Sequence, residues 1–487
     1  ARVDNADELP INSINFCLDK AGIKLKDIDH FGYSLIPEDR LKNIDSDNMK
    51  IPAGGWGTKE GETLFYQKNK NVPKKLSKLA GEEISDKFYF LSHHACHAAS
   101  SFLISPFNEA AILIVDGIAE FASTWFGHGK NNKINKLFEI DYPNSLGFLW
   151  ENFSEFLGFT EYDAAKVMGL SSYGEPHKLM SKMKKIVKLK RDGTFSVDNG
   201  IMKFRAKDFK PLEKIFGIKK REKKDKIRAV HENIAASLQK ITEESLLNML
   251  KRLYKETKCK NLCMAGGVAL NCVANAEIIK KSDFDNIFIE PASHDAGTAL
   301  GAAFYIWNQI LGKPRMEHIE HAYHGPSYSD NEIKDVLDKN KIEYKKIKDI
   351  ERLVASLLSK GEIVAWFQGK LEVGPRALGH RSILADPRSP VVRDELNRKV
   401  KFREIFRPFA PSVLEEDAKL WFEMKKIDQP AYYMLATYKT KPNKIKLIPA
   451  VIHVDDTARI QLVSDKTSPR YYKLIKDKPS TKKEQLS

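Results

Sequence analysis

Short apolar runs that end in small residues or glycine constrain the fold of this chain more than any other feature. Residues 87–91, 111–115 and 287–290 form three such runs, each followed by a turn of small residues. Helical periodicity fills the intervals, most clearly over residues 227–253. Buried strands that alternate with helices are typical of α/β proteins, so we predict an α/β fold.

A length of 487 residues favours two domains. The turn-rich stretch 323–330 precedes a new helical pattern that begins near Asn331, and we place the domain boundary there. The prediction is an N-terminal domain of residues 1–322 and a C-terminal domain of residues 323–487. Residues 476–487 carry little apolar content and are predicted to be a frayed tail.

The chain is basic, with a formal charge of +15, which makes nucleic acids, anionic membranes and phosphate-bearing substrates worth considering. Much of the excess lies in residues 182–191 and 219–228. Neither stretch has the interleaved aromatic residues that stack on bases, so solvated helix faces and loops are favoured over a nucleic-acid surface.

The lengths of the apolar runs, the first residues of the chain and the cysteines indicate the compartment and the redox state of the thiols. The longest apolar runs fall far short of the ~20 residues of a membrane helix, and no signal peptide leads the chain. We therefore expect a cytoplasmic protein without membrane contact. The five cysteines are an odd number in apolar surroundings, so we expect reduced thiols in a core.

Two segments after predicted strands carry possible metal ligands. Residues 92–99 read SHHACHAA, so His93 and His97 lie at i and i+4 and project from one face if the segment is helical. Asp116 ends the strand 111–115, a common place for an active-site carboxylate in an α/β sheet. Core or capping histidines and a turn aspartate are the alternative interpretations of these residues.

Two glycine-rich segments follow the next predicted strands. Gly266 and Gly267 precede a helical pattern that begins near Val273, an arrangement that lets backbone amides approach a phosphate or nucleotide. Asp295 lies at the following strand-to-helix junction, where it is either an N-cap or a ligand. With Asp116 and the histidine pair it would complete a two-His, two-Asp set that suits Fe(II), Mn(II) or Zn(II).

Arginine-rich segments in the C-terminal half are the most specific indication of a binding site in this sequence. Residues 374–386 read GPRALGHRSILAD, and residues 401–404 and 407–411 read KFRE and RPFAP. Arginines that Gly and Pro turns force into place favour an anion, because guanidinium groups contact phosphate or carbamate oxygens in pairs. A solvated basic loop is the alternative.

Together these motifs resemble one known family. The HHACHA block, the VDG that contains Asp116, the KVMGL of residues 166–170, and the GGVALN, GPRALG and FRPFAP segments look like the O-carbamoyltransferases of the NodU/CmcH type. The resemblance covers almost the whole chain in order. The family includes enzymes that carbamoylate hydroxyls of aminoglycosides, cephalosporins, ansamycins and nodulation factors.

The resemblance implies an ATP-dependent enzyme of two domains. The N-terminal domain would be actin-like and sugar-kinase-like, similar to the threonylcarbamoyl-transfer protein, and the C-terminal domain YrdC-like. By this analogy the C-terminal domain makes a carbamoyl adenylate from ATP and carbamoyl phosphate. The N-terminal domain then transfers the carbamoyl group, at a site with a divalent metal, expected to be Fe(II), to a hydroxyl of a small-molecule or sugar acceptor.

The family motifs assign roles residue by residue. They imply metal ligands at His93, His97, Asp116 and Asp295, and nucleotide contacts at Gly117, Gly266, Gly267, Asn271 and Ser382. They imply catalytic residues in the adenylate-forming segments at Arg376, Arg381, Lys401, Arg403 and Arg407.

Two departures from the family pattern bear on these expectations. The chain starts at Ala1, after the place where family members have a strand hairpin with a His-Asp segment, and it lacks a late Asn-Thr-Ser-Phe-Asn strand. The two missing ends leave one alternative open, an impaired nucleotide- and metal-binding remnant of the family. The basic charge and the domains shared with the threonylcarbamoyl-transfer protein leave another, a transfer-RNA threonylcarbamoylation-type protein. We expect no nucleic-acid partner, and take a homodimer as the default assembly.

Overall fold

A mixed five-stranded sheet forms the centre of the N-terminal part of the molecule. The structure is a computed structural model that describes residues 8–46, 50–404 and 406–477. The sheet has the order β5-β4-β3-β8-β9, in which β4 is antiparallel to β3 and β5, while β8 is parallel to β3 and β9. The predicted strands at 111–115 and 287–290 belong to it as β3 (Glu109–Val115) and β9 (Asn286–Ile289).

The remaining central strands are β4 (Ala122–Lys130), β5 (Lys133–Asp141) and β8 (Asn261–Ala265). The predicted strand at 87–91 is β2 (Phe88–Phe90), which pairs in parallel with β1 (Phe31–Tyr33) outside the central sheet. The other strands form two-stranded sheets: β6 (Val187–Leu189), β7 (Phe195–Val197), β10 (Val364–Phe367), β11 (Arg381–Leu384), β12 (Ser412–Leu414), β13 (Tyr438–Lys439), β14 (Thr457–Ala458) and β15 (Gln461–Val463).

The helices of the N-terminal part are α1 (Ile11–Ala21), α2 (Pro37–Arg40), α3 (Lys59–Lys70), α4 (Val72–Ala80), α5 (His93–Phe102), α6 (Leu146–Phe156), α7 (Ala164–Ser171), α8 (Met180–Ile186), α9 (Asn199–Met202), α10 (Lys210–Phe216), α11 (Ala229–Thr257), α12 (Cys272–Lys281) and α13 (Thr298–Tyr305). Those of the C-terminal part are α14 (Asp330–Lys339), α15 (Ile350–Ser359), α16 (Pro390–Glu395), α17 (Ala418–Trp421), α18 (Gln429–Tyr432), α19 (Pro442–Ile445) and α20 (Pro469–Lys476).

Both faces of β3 are buried, which explains its unbroken apolar sequence. Leu113 and Val115 pack on the face covered by α6 and α11, while Ile112 and Ile114 pack on the opposite face against α5. A strand buried on both sides needs apolar residues at every position rather than at alternate ones. This arrangement leaves the carboxyl ends of β3 and β8 as the place where polar residues follow the strands.

The structure confirms a mixed α/β protein, with the predicted long helix present as α11 and the helix near Asn331 present as α14. The actin-like and YrdC-like assignments and the boundary at residue 323 stay predictions. Most of the predicted frayed tail, residues 478–487, lies outside the described residues. Among the described residues, no helix is both long and apolar enough to cross a bilayer.

Two local expectations need correction. Cys17 is exposed, whereas the other four cysteines are buried, because α1 has no buried residues of its own. Arg221, within the basic stretch 219–228, is also buried, since its guanidinium donates to the carbonyl of Leu157 at 3.0 Å. The remaining cations of that stretch are largely solvated, as expected.

Candidate functional site

The helix α5 and two strand ends bring four potential metal ligands together. His93 and His97 lie one turn apart on α5, where the i, i+4 spacing puts both rings on one face. Asp116 follows the end of β3, and Asp295 follows the end of β9. Nitrogen and oxygen atoms of all four side chains lie within 4.8 Å of one another.

The distances in this cluster match ligands around one ion. Nε2 of His93 lies 3.3 Å from Oδ2 of Asp116 and 3.6 Å from Oδ1 of Asp295. Nε2 of His97 lies 3.4 Å and 3.7 Å from the same two oxygens. Ligand atoms that each lie about 2.0–2.2 Å from one divalent ion are separated by roughly 3–3.6 Å. The four side chains therefore fit a divalent metal with mixed nitrogen and oxygen ligands.

The outer contacts orient the ligands toward the centre of the cluster. Nδ1 of His93 lies 3.0 Å from the carbonyl oxygen of Ser34, to which it can donate, so Nε2 faces the carboxylates. The backbone N–H of Gly267 donates to Oδ1 of Asp116 at 3.2 Å, so Oδ2 faces the histidines. Asp295 lies on the open side, with 75% of its side chain exposed.

The histidines and aspartates of the cluster shift one another's pKa values. Burial acts to lower the pKa of His93, but hydrogen bonds and charges from Asp116 and Asp295 outweigh it and raise that pKa to about 10. Burial acts to raise the pKa of Asp116, yet hydrogen bonds with His93 and His97 hold it well below its usual range. Both histidines therefore bind protons strongly, and a metal would have to displace those protons.

The predicted Gly-Gly loop adjoins this cluster. Gly266 has φ of 90°, and a Cβ there would lie 2.3 Å from the carbonyl oxygen of Val115, so only glycine fits. This close approach brings the loop after β8 beside the end of β3. Asn271 caps α12 by accepting from the backbone N–H of Ala274 at 3.0 Å.

A cavity of about 400 Å³ opens beside the cluster. Of the predicted nucleotide residues it is lined by Gly117, Gly267 and Asn271, together with the metal-ligand candidate Asp116 and the arginine Arg376. Gly266 lies directly behind Gly267 against β3. The cavity therefore joins the N-terminal glycine loop to the C-terminal arginine segment.

A second cavity, of about 150 Å³, is lined by four arginines: Arg376, Arg403, Arg407 and Arg459. The charge of Arg459, with burial, lowers the pKa of Arg376 to about 9. Burial and the charges of Arg407 and Arg459 lower the pKa of Arg403 to about 10. Four guanidinium groups therefore concentrate positive charge in this cavity.

Little in the protein offsets this charge. Among the described residues, no carboxylate forms an ion pair with Arg376, Arg407 or Arg459, and the buried Nε of Arg376 has no hydrogen-bond acceptor. Arg403 donates from Nε to Oδ1 of Asn397 at 2.7 Å, which orients its guanidinium without neutralising it. An arrangement of this kind suits a bound anion such as a phosphate group.

Glu372 organises the loop that carries Arg376. Its Oε1 accepts from the backbone N–H groups of Leu378 at 2.7 Å and His380 at 2.9 Å. Its Oε2 lies 2.9 Å from Nε of Arg381, and this carboxylate is fully buried. Residues 373–381 therefore wrap around one carboxylate and present Arg376 at the cavity.

Besides Gly266, three of the predicted catalytic and nucleotide-binding residues line neither cavity. Arg381 contacts Glu372 instead of lining either cavity, and Oγ of Ser382 accepts from the backbone N–H of Gly379 at 2.9 Å. Lys401 is exposed beside the arginine cavity, and burial with the charges of Arg403 and Arg407 lowers its pKa. Their catalytic and nucleotide-binding roles stay predictions.

Two residues that the sequence analysis did not select also line the cavities. Arg459 lies between β14 and β15 and lines the arginine cavity. Glu151 on α6 lines the larger cavity, has no hydrogen-bond or ion-pair partner among the described residues, and burial with the charge of Glu161 raises its pKa to about 8. Perturbed carboxyl groups of this kind concentrate at functional sites.

Comparisons with known proteins match nearly the whole chain. The family described as "Carbamoyltransferase N-terminus" matches residues 2–304, and the family described as "Carbamoyltransferase C-terminus" matches residues 355–485. Residues 305–354, which include the predicted boundary, lie between the two matches.

Several curated proteins are similar over most of their length. The uncharacterized protein sll1178 of Synechocystis sp. is 36% identical over 509 residues, which cover 96% of this chain and 82% of that protein. The nodulation protein NolNO of Sinorhizobium fredii is 34% identical over 97% of this chain and 68% of its own length. The nodulation protein NolO of Bradyrhizobium diazoefficiens is 36% identical over 79% of this chain and 69% of its own length.

A search of solved structures adds no fold assignment. HypF of T. kodakarensis covers 50% of this chain with a TM-score of 0.29 and 14% identity, which is too low to support an argument. The two family matches include the residues of the His–Asp cluster and the arginines of both cavities, and the relatives are matched over 68–82% of their own length. The chain belongs to the carbamoyltransferase family and is a carbamoyltransferase.

Proposed function

We propose that this protein is an ATP-dependent O-carbamoyltransferase that makes a carbamoyl adenylate and transfers its carbamoyl group to an acceptor hydroxyl. The observation that carries the proposal is the position of Arg376, which lines both the arginine cavity and the cavity beside the His–Asp cluster. An anion held by the arginines would therefore lie next to the cluster. The two sites are adjacent enough to share one intermediate.

The proposed reaction has three balanced steps. Water hydrolyses carbamoyl phosphate to carbamate and phosphate, and carbamate then attacks the α-phosphate of ATP to give carbamoyl adenylate and pyrophosphate. The acceptor oxygen attacks the carbamoyl carbon, the C–O bond to AMP breaks, and the hydroxyl proton leaves to a base. The products are the carbamate ester and AMP.

The arginine cavity would serve the first two steps. Arg376, Arg403, Arg407 and Arg459 would neutralise phosphate oxygens, whose charge otherwise repels the attacking carbamate. Burial strengthens this attraction, because the guanidinium groups face few competing waters. Because Arg376 lines both cavities, the adenylate would have only a short distance to travel, which would limit its hydrolysis, since it is a mixed anhydride that water destroys.

The His–Asp cluster would serve the transfer. His93, His97, Asp116 and Asp295 would hold a divalent metal, proposed to be Fe(II), which when bound polarises the carbamoyl carbonyl and orients the adenylate. The N–H of Gly267 fixes the Asp116 carboxylate. Glu151, in the same cavity, is positioned to accept the proton of the acceptor hydroxyl, and its pKa of about 8 suits that task.

The proposal is tested by measuring AMP and pyrophosphate formed from ATP with and without carbamoyl phosphate. We expect formation that depends on carbamoyl phosphate in the unmodified protein, and a loss of about 100-fold or more in an Arg376→Ala, Arg459→Ala double variant. Arg352→Ala, which removes an exposed arginine of α15, is the matched control. The proposal would be contradicted if AMP formation did not depend on carbamoyl phosphate, or if the double variant and the Arg352→Ala control formed AMP at the same rate.

A further inference from the structure

A second mixed group of side chains lies at the other end of the central sheet. Glu109 begins β3, His128 lies near the end of β4, and Cys259 lies between α11 and β8. One ligand atom from each of the three lies within 4.8 Å of the other two. None of them has a part in the proposed reaction, since Asp116 lies beyond the opposite end of β3, about 23 Å from Glu109 at about 3.3 Å per residue.

The sheet register holds the three side chains on one face. Glu109 lies opposite Lys130 and Ala111 lies opposite His128 in the antiparallel pair of β3 and β4. Residues directly opposite or two apart share a face, so Glu109 and His128 are diagonal neighbours. Cys259 packs in the core cluster on that same face, beneath the C-terminal end of α11.

The contacts within the group resemble the ligand set of a thiophilic metal. Nε2 of His128 lies 2.9 Å from Oε1 of Glu109. Cys259 is 7% exposed, and its Sγ has only a weak contact of 3.7 Å with the carbonyl oxygen of Thr257. A thiol, an imidazole and a carboxylate are the side chains that Zn²⁺ selects, with a water as the fourth ligand.

We propose that Cys259, His128 and Glu109 form a second metal site, for Zn²⁺ or a similar thiophilic divalent ion, that is separate from the catalytic cluster. The ion would tie the turn after α11, where Lys258 has φ of 55°, to β3 and β4. Binding releases the thiol proton, whose retention burial favours by raising the pKa of Cys259. Lys130, with Nζ 3.3 Å from Oε1 of Glu109, competes with the metal for that carboxylate.

The test is a titration of the full chain with Co²⁺, followed by the thiolate-to-metal charge-transfer absorption in the near ultraviolet. The catalytic cluster contains no thiol, so this absorption reports the second site alone. Because the His–Asp cluster also takes up Co²⁺, we expect the band to saturate by two equivalents in total and to disappear when Zn²⁺ is added. Cys259→Ser should abolish it, while Cys17→Ser, which removes the exposed thiol, should leave it unchanged.

Two further variants sharpen the result. His128→Ala should weaken Co²⁺ binding by more than the roughly tenfold that loss of an outer contact causes. Lys130→Gln should tighten binding, because it frees Glu109. Protection of Cys259 from alkylation by Zn²⁺ in the unmodified protein, read by mass spectrometry, gives the same answer without any substitution that could disturb folding. The proposal is overturned if the unmodified protein shows no charge-transfer band, if Cys259→Ser retains it, or if Zn²⁺ gives no protection.

Discussion

The His–Asp cluster and the arginine cavity are opposites in how their charges are balanced. In the cluster, two carboxylates face two histidines at 3.3–3.7 Å, so its members stabilise one another. In the arginine cavity, four cations share one space, and among the described residues Arg376, Arg407 and Arg459 have no acidic partner. The first site is organised before any ligand binds, whereas the second depends on its ligand for charge balance.

The largest expected effect comes from removing one member of the balanced site. His97→Ala should abolish stoichiometric binding of the proposed metal and reduce carbamoyl transfer by about 1,000-fold or more, since a proposed metal ligand and its share of electrostatic stabilisation are lost. Metal analysis and product formation are the measurements. His177→Ala, at an exposed histidine, should change neither, and full activity of His97→Ala would exclude the cluster from the reaction.

A substitution of Glu151 tests whether the cavity between the two sites supplies a base. Glu151→Gln should lower the turnover number by about 100-fold, the usual contribution of a positioned base. A base acts in its deprotonated form, so the rate in the unmodified protein should rise with pH through about 8 and the variant should lack this rise. A pH–rate profile of transfer that is the same in both proteins would remove Glu151 from the mechanism.

A single substitution in the arginine cavity should weaken ATP binding without lowering the melting temperature. Arg459→Ala should weaken ATP binding by about tenfold, the loss expected for one charge-assisted contact. Its melting temperature should stay equal or rise, because repulsion of Arg376 and Arg403 is relieved. Calorimetric titration and thermal unfolding measure the two effects, and a large fall in melting temperature would show that the charges are balanced within the fold.

Arg381→Ala, in contrast to Arg459→Ala, should lower the stability of the fold more than the affinity for ATP, because its partner Glu372 is fully buried. We expect a loss of about 3 kcal/mol in the free energy of unfolding, as is typical when one member of a buried pair is removed. Denaturant titration measures this loss. The folded Arg381→Ala variant should lose less ATP affinity than Arg459→Ala does. A greater loss in Arg381→Ala would place Arg381 in the anion site.

The contrast between the two sites also explains what could be predicted from sequence. His93 and His97 could be predicted as a pair because a helical spacing of four puts both rings on one face. Asp116 could be predicted because a polar residue that ends an apolar strand lies at the sheet edge. These are local rules. The two glycines and the α/β class follow from equally local patterns, so the N-terminal cluster could be predicted almost completely.

The arginine cavity was harder to predict because its members meet through the tertiary fold. Arg376 and Arg381 belong to one motif, yet the loop around Glu372 sends the first to the cavities and the second to the buried carboxylate. Arg459 comes from a different pair of short strands. Glu151 lies on an apolar helix, where no pattern separates a cavity carboxylate from an ordinary solvated one.

The place of Arg376 in the walls of both cavities has a consequence for inhibitor design. A compound that joins an anionic group, bound by the arginines, to a largely apolar group that fills the 400 Å³ cavity would pass directly beside this side chain. Each half would raise the effective concentration of the other, so the joined compound should bind far more tightly than either half alone. The linker length that gives the greatest gain would measure the passage between the two cavities.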